Sequence, residues 1–271
     1  MTVCIGAICD GGKAVVVAAD RMMTYGPPMN LQAEGAVRKI IQLTESAVLL
    51  FSGSVPDAEA LANGTNAALK HGNFTITQIA DLAAKVYQDI KRKKIEDTIL
   101  RPLLGLEFAQ FQQLISQSAS SQVLGQVLGM ISQHNLGLDA ILASIDDDTG
   151  NLAIITHPGM AMPMNTVGTA AIGSGGMHAS VRLSLGRQIS SLSIPETLFN
   201  VYEAKRASEV APGVGKVTDI AVLKDKTITF VADSVIDLLG TIVKERPSLS
   251  EEDLKKLREA YEETANDPAK K

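Results

Sequence analysis

Tryptophan is absent from the 271 residues, and aromatics of all kinds make up only 4%. The core must then be filled by Ala, Val, Ile and Leu, which suits sheets and helices packed closely in layers. Positive charge is also in deficit: 25 Lys and Arg stand against 30 Asp and Glu, giving a net charge of −5 and an isoelectric point near 5.4. Such a balance supplies no field for phosphate backbones, and no basic run is long enough to override it, so nucleic acid is excluded as the expected partner. Cysteine occurs only at Cys4 and Cys9. Their odd offset along one strand sends the side chains to opposite faces, so no disulfide between them is expected and a reducing compartment is favoured. Long apolar runs are missing as well: none approaches the roughly 18 residues of a membrane span, and no secretory leader opens the chain. The expectation is a soluble, cytoplasmic protein with no membrane partner. His71, His134, His157 and His178 are scattered without ligand spacing, so no metal and no other cofactor is expected.

What is present reads as alternating hairpins and helical pairs. Val3 to Ile8 and Ala14 to Ala19 are apolar runs around a Cys9-Asp10-Gly11-Gly12 turn, and predict a hairpin buried on both faces. Met22 to Val37 reads as a loop, followed by a second hairpin from Lys39 to Leu43 and Ala47 to Phe51. Two hairpins before any helix suggest an antiparallel sheet. The period then changes, predicting a helix after Pro56-Asp57 and another after Thr75 or Thr77, the second closing in the solvated basic run Lys91 to Lys94. Residues 95 to about 135 read as a helical insertion of one or two amphipathic helices. Strands over 140–145 and 152–156 flank Asp146-Asp147-Asp148, which lacks calcium-loop spacing and is read as a hairpin turn. A strand over 169–172, a short helix carrying Ala179 to Leu185, a further helix opening at Ser193 and running through Ala207, and a hairpin over 218–231 complete the main body. From Asp233 a helical tail follows, with a Pro247 break, a charged helix and a disordered end. The domain boundaries expected are 1–232 and 233–271.

Five segments carry chemistry when taken in order: Thr2-Val3, Ala18-Ala19-Asp20-Arg21-Met22-Met23-Thr24, Arg38-Lys39-Ile40, Ser52-Gly53-Ser54-Val55-Pro56-Asp57-Ala58 and Ala171-Ile172-Gly173-Ser174-Gly175-Gly176. Together they resemble the proteasome β-subunit family of N-terminal nucleophile hydrolases, including its bacterial HslV-like and Anbu-like relatives. The resemblance covers residues 2–92 and 138–232. It implies an α+β fold, a four-layer αββα sandwich, which agrees with the strand and helix order. It also implies that Thr2 is the nucleophile, exposed by removal of Met1, with Asp20 orienting Lys39 beside it. Gly53 would offer its backbone N–H to the oxyanion, Ser174 would lie near the Thr2 amine, and Thr24 would hold extended substrate. Met23, Phe51 and Val55 are the expected pocket walls.

The chemistry stands on its own terms. A Thr hydroxyl needs a base, and an α-amino group with a pKa near 8 can serve near neutral pH. A neighbouring ammonium such as Lys39 lowers that pKa, and Asp20 keeps the lysine charged and in place. A glycine lets its N–H approach a developing oxyanion. Each residue also has a plainer reading: Asp20 as a turn residue, Lys39 as a surface charge, Gly173 to Gly176 as a phosphate-binding turn, Cys4 as a packed thiol. The phosphate reading lacks a following Gly-Lys-Ser/Thr. Departures from the family lie in the long segment between Asp20 and Lys39, and at Ala207-Ser208-Glu209-Val210-Ala211-Pro212-Gly213, where the family carries an Asp followed by a Ser-Gly-Gly turn. The implied activity is a threonine-type peptidase on peptides or unfolded proteins, in a homo-oligomeric ring, with an ATPase or regulator as a further partner. An amidase or transpeptidase on the same fold, and a non-catalytic scaffold subunit, are the alternatives.

Overall fold

The computed structural model describes residues 2–24, 31–35, 37–69, 74–117 and 122–245. In chain order the elements are β1 (Cys4–Cys9), β2 (Ala14–Asp20), β3 (Met22–Thr24), β4 (Gln32–Glu34), β5 (Ile40–Gln42), β6 (Ala47–Ser52), α1 (Val55–Leu69) and α2 (Ile76–Ile95). A π-helical turn, Glu96–Leu100, leads to α3 (Arg101–Leu104), α4 (Phe108–Gln117) and α5 (Gln122–Gln133). Then come β7 (Asp139–Asp146), β8 (Thr149–Thr156), β9 (Met160–Pro163), β10 (Thr169–Ile172), α6 (Gly176–Leu185), α7 (Ile194–Ser208), β11 (Thr218–Lys224), β12 (Thr227–Phe230) and α8 (Asp233–Glu245). The chain divides into two compact units, Met1–Val231 and Ala232–Lys271. In the second unit the described part is α8; the expected Pro247 break, charged helix and disordered end lie outside the described residues.

Two antiparallel five-stranded sheets form the first unit, in the orders β10-β1-β2-β11-β12 and β5-β6-β7-β8-β9. The two early hairpins therefore belong to different sheets, because each pairs with strands far along the chain. Strand alternation explains the layering. On β6, Val48 and Leu50 point between the sheets with Cys4, Val15, Val17, Ile141 and Leu152. Leu49 and Phe51 point the other way, onto a core with Leu61 of α1 and Tyr87 of α2. The opposite sheet is covered by α6 and α7. The order of layers is thus α1/α2, sheet, sheet, α6/α7, the αββα sandwich.

Local signals set the element ends. Thr75 opens α2 with a capping box shared with Gln78, and Ser193 opens α7 in the same way with Glu196. The basic run forms the last turn of α2, which closes at Ile95 and passes directly into the π turn; Lys94 reaches Asp57 of α1 at 2.5 Å and Arg92 lies 4.7 Å from the Phe108 ring centroid. Among the described residues the insertion carries three helices, α3 to α5, rather than one or two, around its own small core of Ile95, Ile99, Leu100, Phe111, Leu124 and Val127. The segment read as a loop from Met22 to Val37 contains the β3–β4 ribbon. Strand β9 gives little sequence signal, being four residues long and ending in Pro163, as suits a sheet edge. Cys4 and Cys9 are both buried and free: Cys4 lies between the sheets, while Cys9 is hydrogen-bonded to Thr197 of α7.

Candidate active site

Residue 20 ends β2 and residue 39 precedes β5, so the two sheets deliver Asp20 and Lys39 to one end of the sandwich, where Thr2 leads into β1. All three are buried, at 2%, 0% and 4% exposure for Thr2, Asp20 and Lys39. The Thr2 hydroxyl donates to Asp20 Oδ1 and accepts from Lys39 Nζ. Lys39 Nζ also reaches Asp20 Oδ1 at 2.9 Å. The remaining capacity of the carboxylate is filled by backbone donors: Val3 N–H on Oδ1 at 2.9 Å, and Met22 N–H and Gly215 N–H on Oδ2 at 3.0 and 2.9 Å. Burial alone would raise the Asp20 carboxyl, but the Lys39 ammonium and the hydrogen bonds from Thr2, Lys39 and Gly215 outweigh it and hold the carboxyl below its ordinary range.

Ser174 closes the cluster from the β10–α6 turn. The Thr2 N–H donates to its Oγ at 3.2 Å, and the Ser174 hydroxyl lies 3.3 Å from both the Thr2 and Pro212 carbonyl oxygens. Gly175 N–H fixes the same Thr2 carbonyl at 3.1 Å. Only glycine fits at 173, where φ is +86° and a Cβ would lie 2.3 Å from the Thr2 carbonyl oxygen and 2.9 Å from Ser52 Oγ. Gly53 turns at φ +115° directly after β6, and a Cβ there would meet the Gly137 carbonyl oxygen at 1.9 Å. Backbone conformation and packing by themselves therefore demand glycine at 53.

The expected substrate-contact residues divide. Met23 and Thr24 lie on the β3–β4 ribbon, half-buried and exposed respectively, and Val55 opens α1 and packs partly against its core. Phe51 is corrected: its ring is 2% exposed in the helix-facing core, because alternation along β6 turns it away from any open cleft. Neither candidate for the late acidic segment touches Thr2. The Ser208 hydroxyl lies 3.0 Å from the Gly175 carbonyl oxygen and 2.8 Å from that of Ala204, while Glu209 pairs with Lys205 and Arg206. Cys4 donates its thiol to the Phe51 carbonyl, and burial pushes its pKa up to about 12, so it is no nucleophile.

Residue 215 donates its N–H to Asp20 but was not among the expected site residues. Gly215 had a signal, a Gly213-Val214-Gly215 run immediately before a strand, which marks close backbone approach. A separate cavity of about 580 Å³, lined by the Thr44–Ser46 and Asp146–Asp147 turns and the α1 and α2 ends, includes none of the candidate residues. Among the described residues no group of His, Cys, Asp and Glu is placed to hold a metal, and no helix is long and apolar enough to cross a membrane.

The αββα sandwich is the fold expected of a proteasome-like chain, and it gathers Thr2, Asp20 and Lys39 at one end. Comparison with protein families agrees: residues 2–107 match the model described as proteasome subunit, so over that span the chain is proteasome-subunit-like. That span includes Thr2, Asp20, Lys39 and Gly53. No curated protein matches the chain.

Proposed function

We propose that this protein is a threonine-type peptidase whose nucleophile is the Thr2 hydroxyl and whose base is the Thr2 amine released when Met1 is hydrolysed away. The observation that carries the reading is the buried hydroxyl of Thr2, bonded at once to Asp20 and Lys39, with its nitrogen at Ser174 Oγ. While Met1 is attached that nitrogen is an amide, with no basic lone pair. Cleavage of the Met1–Thr2 bond turns it into an amine beside the hydroxyl it must deprotonate.

In the first step the amine takes the hydroxyl proton as Oγ1 attacks the substrate carbonyl. The Lys39 ammonium stabilises negative charge on Oγ1 and keeps the amine's pKa low enough for it to be neutral, while Asp20 holds the ammonium in place. The Gly53 N–H receives the oxyanion. The protonated amine then gives its proton to the leaving nitrogen, forming a Thr2 ester that water resolves by the same route. Met23, Thr24 and Val55 flank the substrate, which is a peptide or unfolded protein. Assembly into a ring is supported by the apolar ridge of α6, where Met177, Val181 and Leu185 recur every four residues at 79%, 52% and 72% exposure.

Intact mass measurement of the purified protein tests the conditional step. The expected mass is that of a chain beginning at Thr2; a chain that keeps Met1 throughout would overturn the amine mechanism.

A further inference from the structure

Lys205 of α7 is fully buried, and a lysine in that position must have its charge met. Its ammonium donates to Glu209 Oε1 at 2.7 Å and to the Lys216 carbonyl oxygen at 2.6 Å. Lys216 directly follows Gly215, whose N–H occupies Asp20 Oδ2. The far side of the same segment is held by Glu34 of β4, whose Oε1 accepts the Val217 N–H at 2.6 Å. Glycine at 215 permits this approach, since a Cβ would lie 2.4 Å from Glu34 Oε1 and 2.9 Å from Met22 Cβ.

We propose that Lys205 is a positioning residue for the Thr2 site, pinning the Lys216 carbonyl so that Gly215 N–H stays on Asp20 Oδ2 while Oδ1 faces Thr2, Lys39 and the Val3 N–H. This inference rests on the Thr2 reading above. The chain of contacts is direct: Lys205 to Lys216, one residue back to Gly215, then to the carboxylate that touches both Thr2 and Lys39. The lysine brings more than a donor. Its charge interacts with Asp20 and favours the ionised carboxylate, although burial lowers its own pKa against the pull of Glu209. The other charged or titratable groups around Asp20 and this segment include Lys39, the Cys4 thiol, Glu34, Glu209 with its second partner Arg206, and the Arg21–Asp219 pair.

A lysine with a purely structural role would affect stability alone, so the test measures chemistry. In the full chain, Lys205→Met is expected to lower kcat for a fluorogenic peptide by about tenfold, by loosening the groups that hold the nucleophile, with KM little changed. The acid limb of its pH–rate profile moves to higher pH, because Asp20 has lost a nearby positive charge. Lys205→Arg, which keeps charge and donors, restores both. If the single variant does not fold, Lys205→Met with Glu209→Met leaves no unpaired buried charge and carries the same expectation. A folded methionine variant with wild-type kcat and an unmoved acid limb would overturn the proposal. A wild-type chain that an epoxyketone leaves unmodified at Thr2 would instead overturn the underlying reading, and this inference with it.

Discussion

Thr2→Ala is expected to reduce peptide hydrolysis to background while leaving the fold intact. The substitution removes one hydroxyl from a buried cluster whose other members still pair with each other: Lys39 keeps Asp20 at 2.9 Å, and Asp20 keeps its three backbone donors. The stability change should stay at about 1–2 kcal/mol, the range for losing one buried hydrogen-bonding group whose partners remain satisfied. The rate change is far larger, because the bond-forming atom is gone and only substrate binding and oxyanion stabilisation remain. Thr2→Ser, which keeps hydroxyl and amine, should restore turnover. Steady-state rates on a fluorogenic peptide, with thermal melts alongside, check both halves. Wild-type turnover in the alanine variant would place the chemistry elsewhere.

The second large effect falls on Lys39. Lys39→Met should lower kcat by about 1,000-fold or more, as expected for losing one member of a catalytic group that acts as a unit. It also removes the cation paired with a carboxylate at 0% exposure, a loss of about 3–5 kcal/mol when one partner of a buried pair is deleted. The backbone N–H groups on Asp20 place the expectation at the lower end. The pH dependence follows from the sign of the Asp20 shift. Its folded pKa lies below the unfolded value, so its stabilisation is complete above an unfolded carboxylate pKa of about 4 and is lost as pH falls through the folded value. Without Lys39 the folded pKa rises, and acid destabilisation should begin at higher pH than in the wild type. Melting temperatures from pH 3 to pH 7 in both chains measure the difference.

The sandwich was legible because period and order survive translation into structure. Apolar runs of six or seven residues, turn residues between them and two capping boxes define β1, β2, α2 and α7 from local chemistry. Which hairpin joins which sheet is not local: β1 finds β10 and β2 finds β11 across more than a hundred residues, and nothing within either hairpin specifies that choice. The same divide runs through the site. Thr2, Asp20, Lys39 and Ser174 were singled out by a resemblance carried by short segments in order, and the structure places the four side by side. Gly215 and Lys205 were not, since their bearing on Asp20 depends on a loop that only folding delivers. Phe51 is placed by alternation along β6, which turns residues 49 and 51 toward the helices.

The central claim is that one residue supplies both nucleophile and base, and an epoxyketone reports on both at once. Its ketone carbon is attacked by the Thr2 hydroxyl, and its epoxide is then opened by the Thr2 amine, closing a ring that holds both atoms. Mass spectrometry of the N-terminal peptide after treatment is expected to show a fragment beginning at Thr2 and carrying one inhibitor. A fragment that still carries Met1, or one that begins at Thr2 but remains unmodified, would contradict the account.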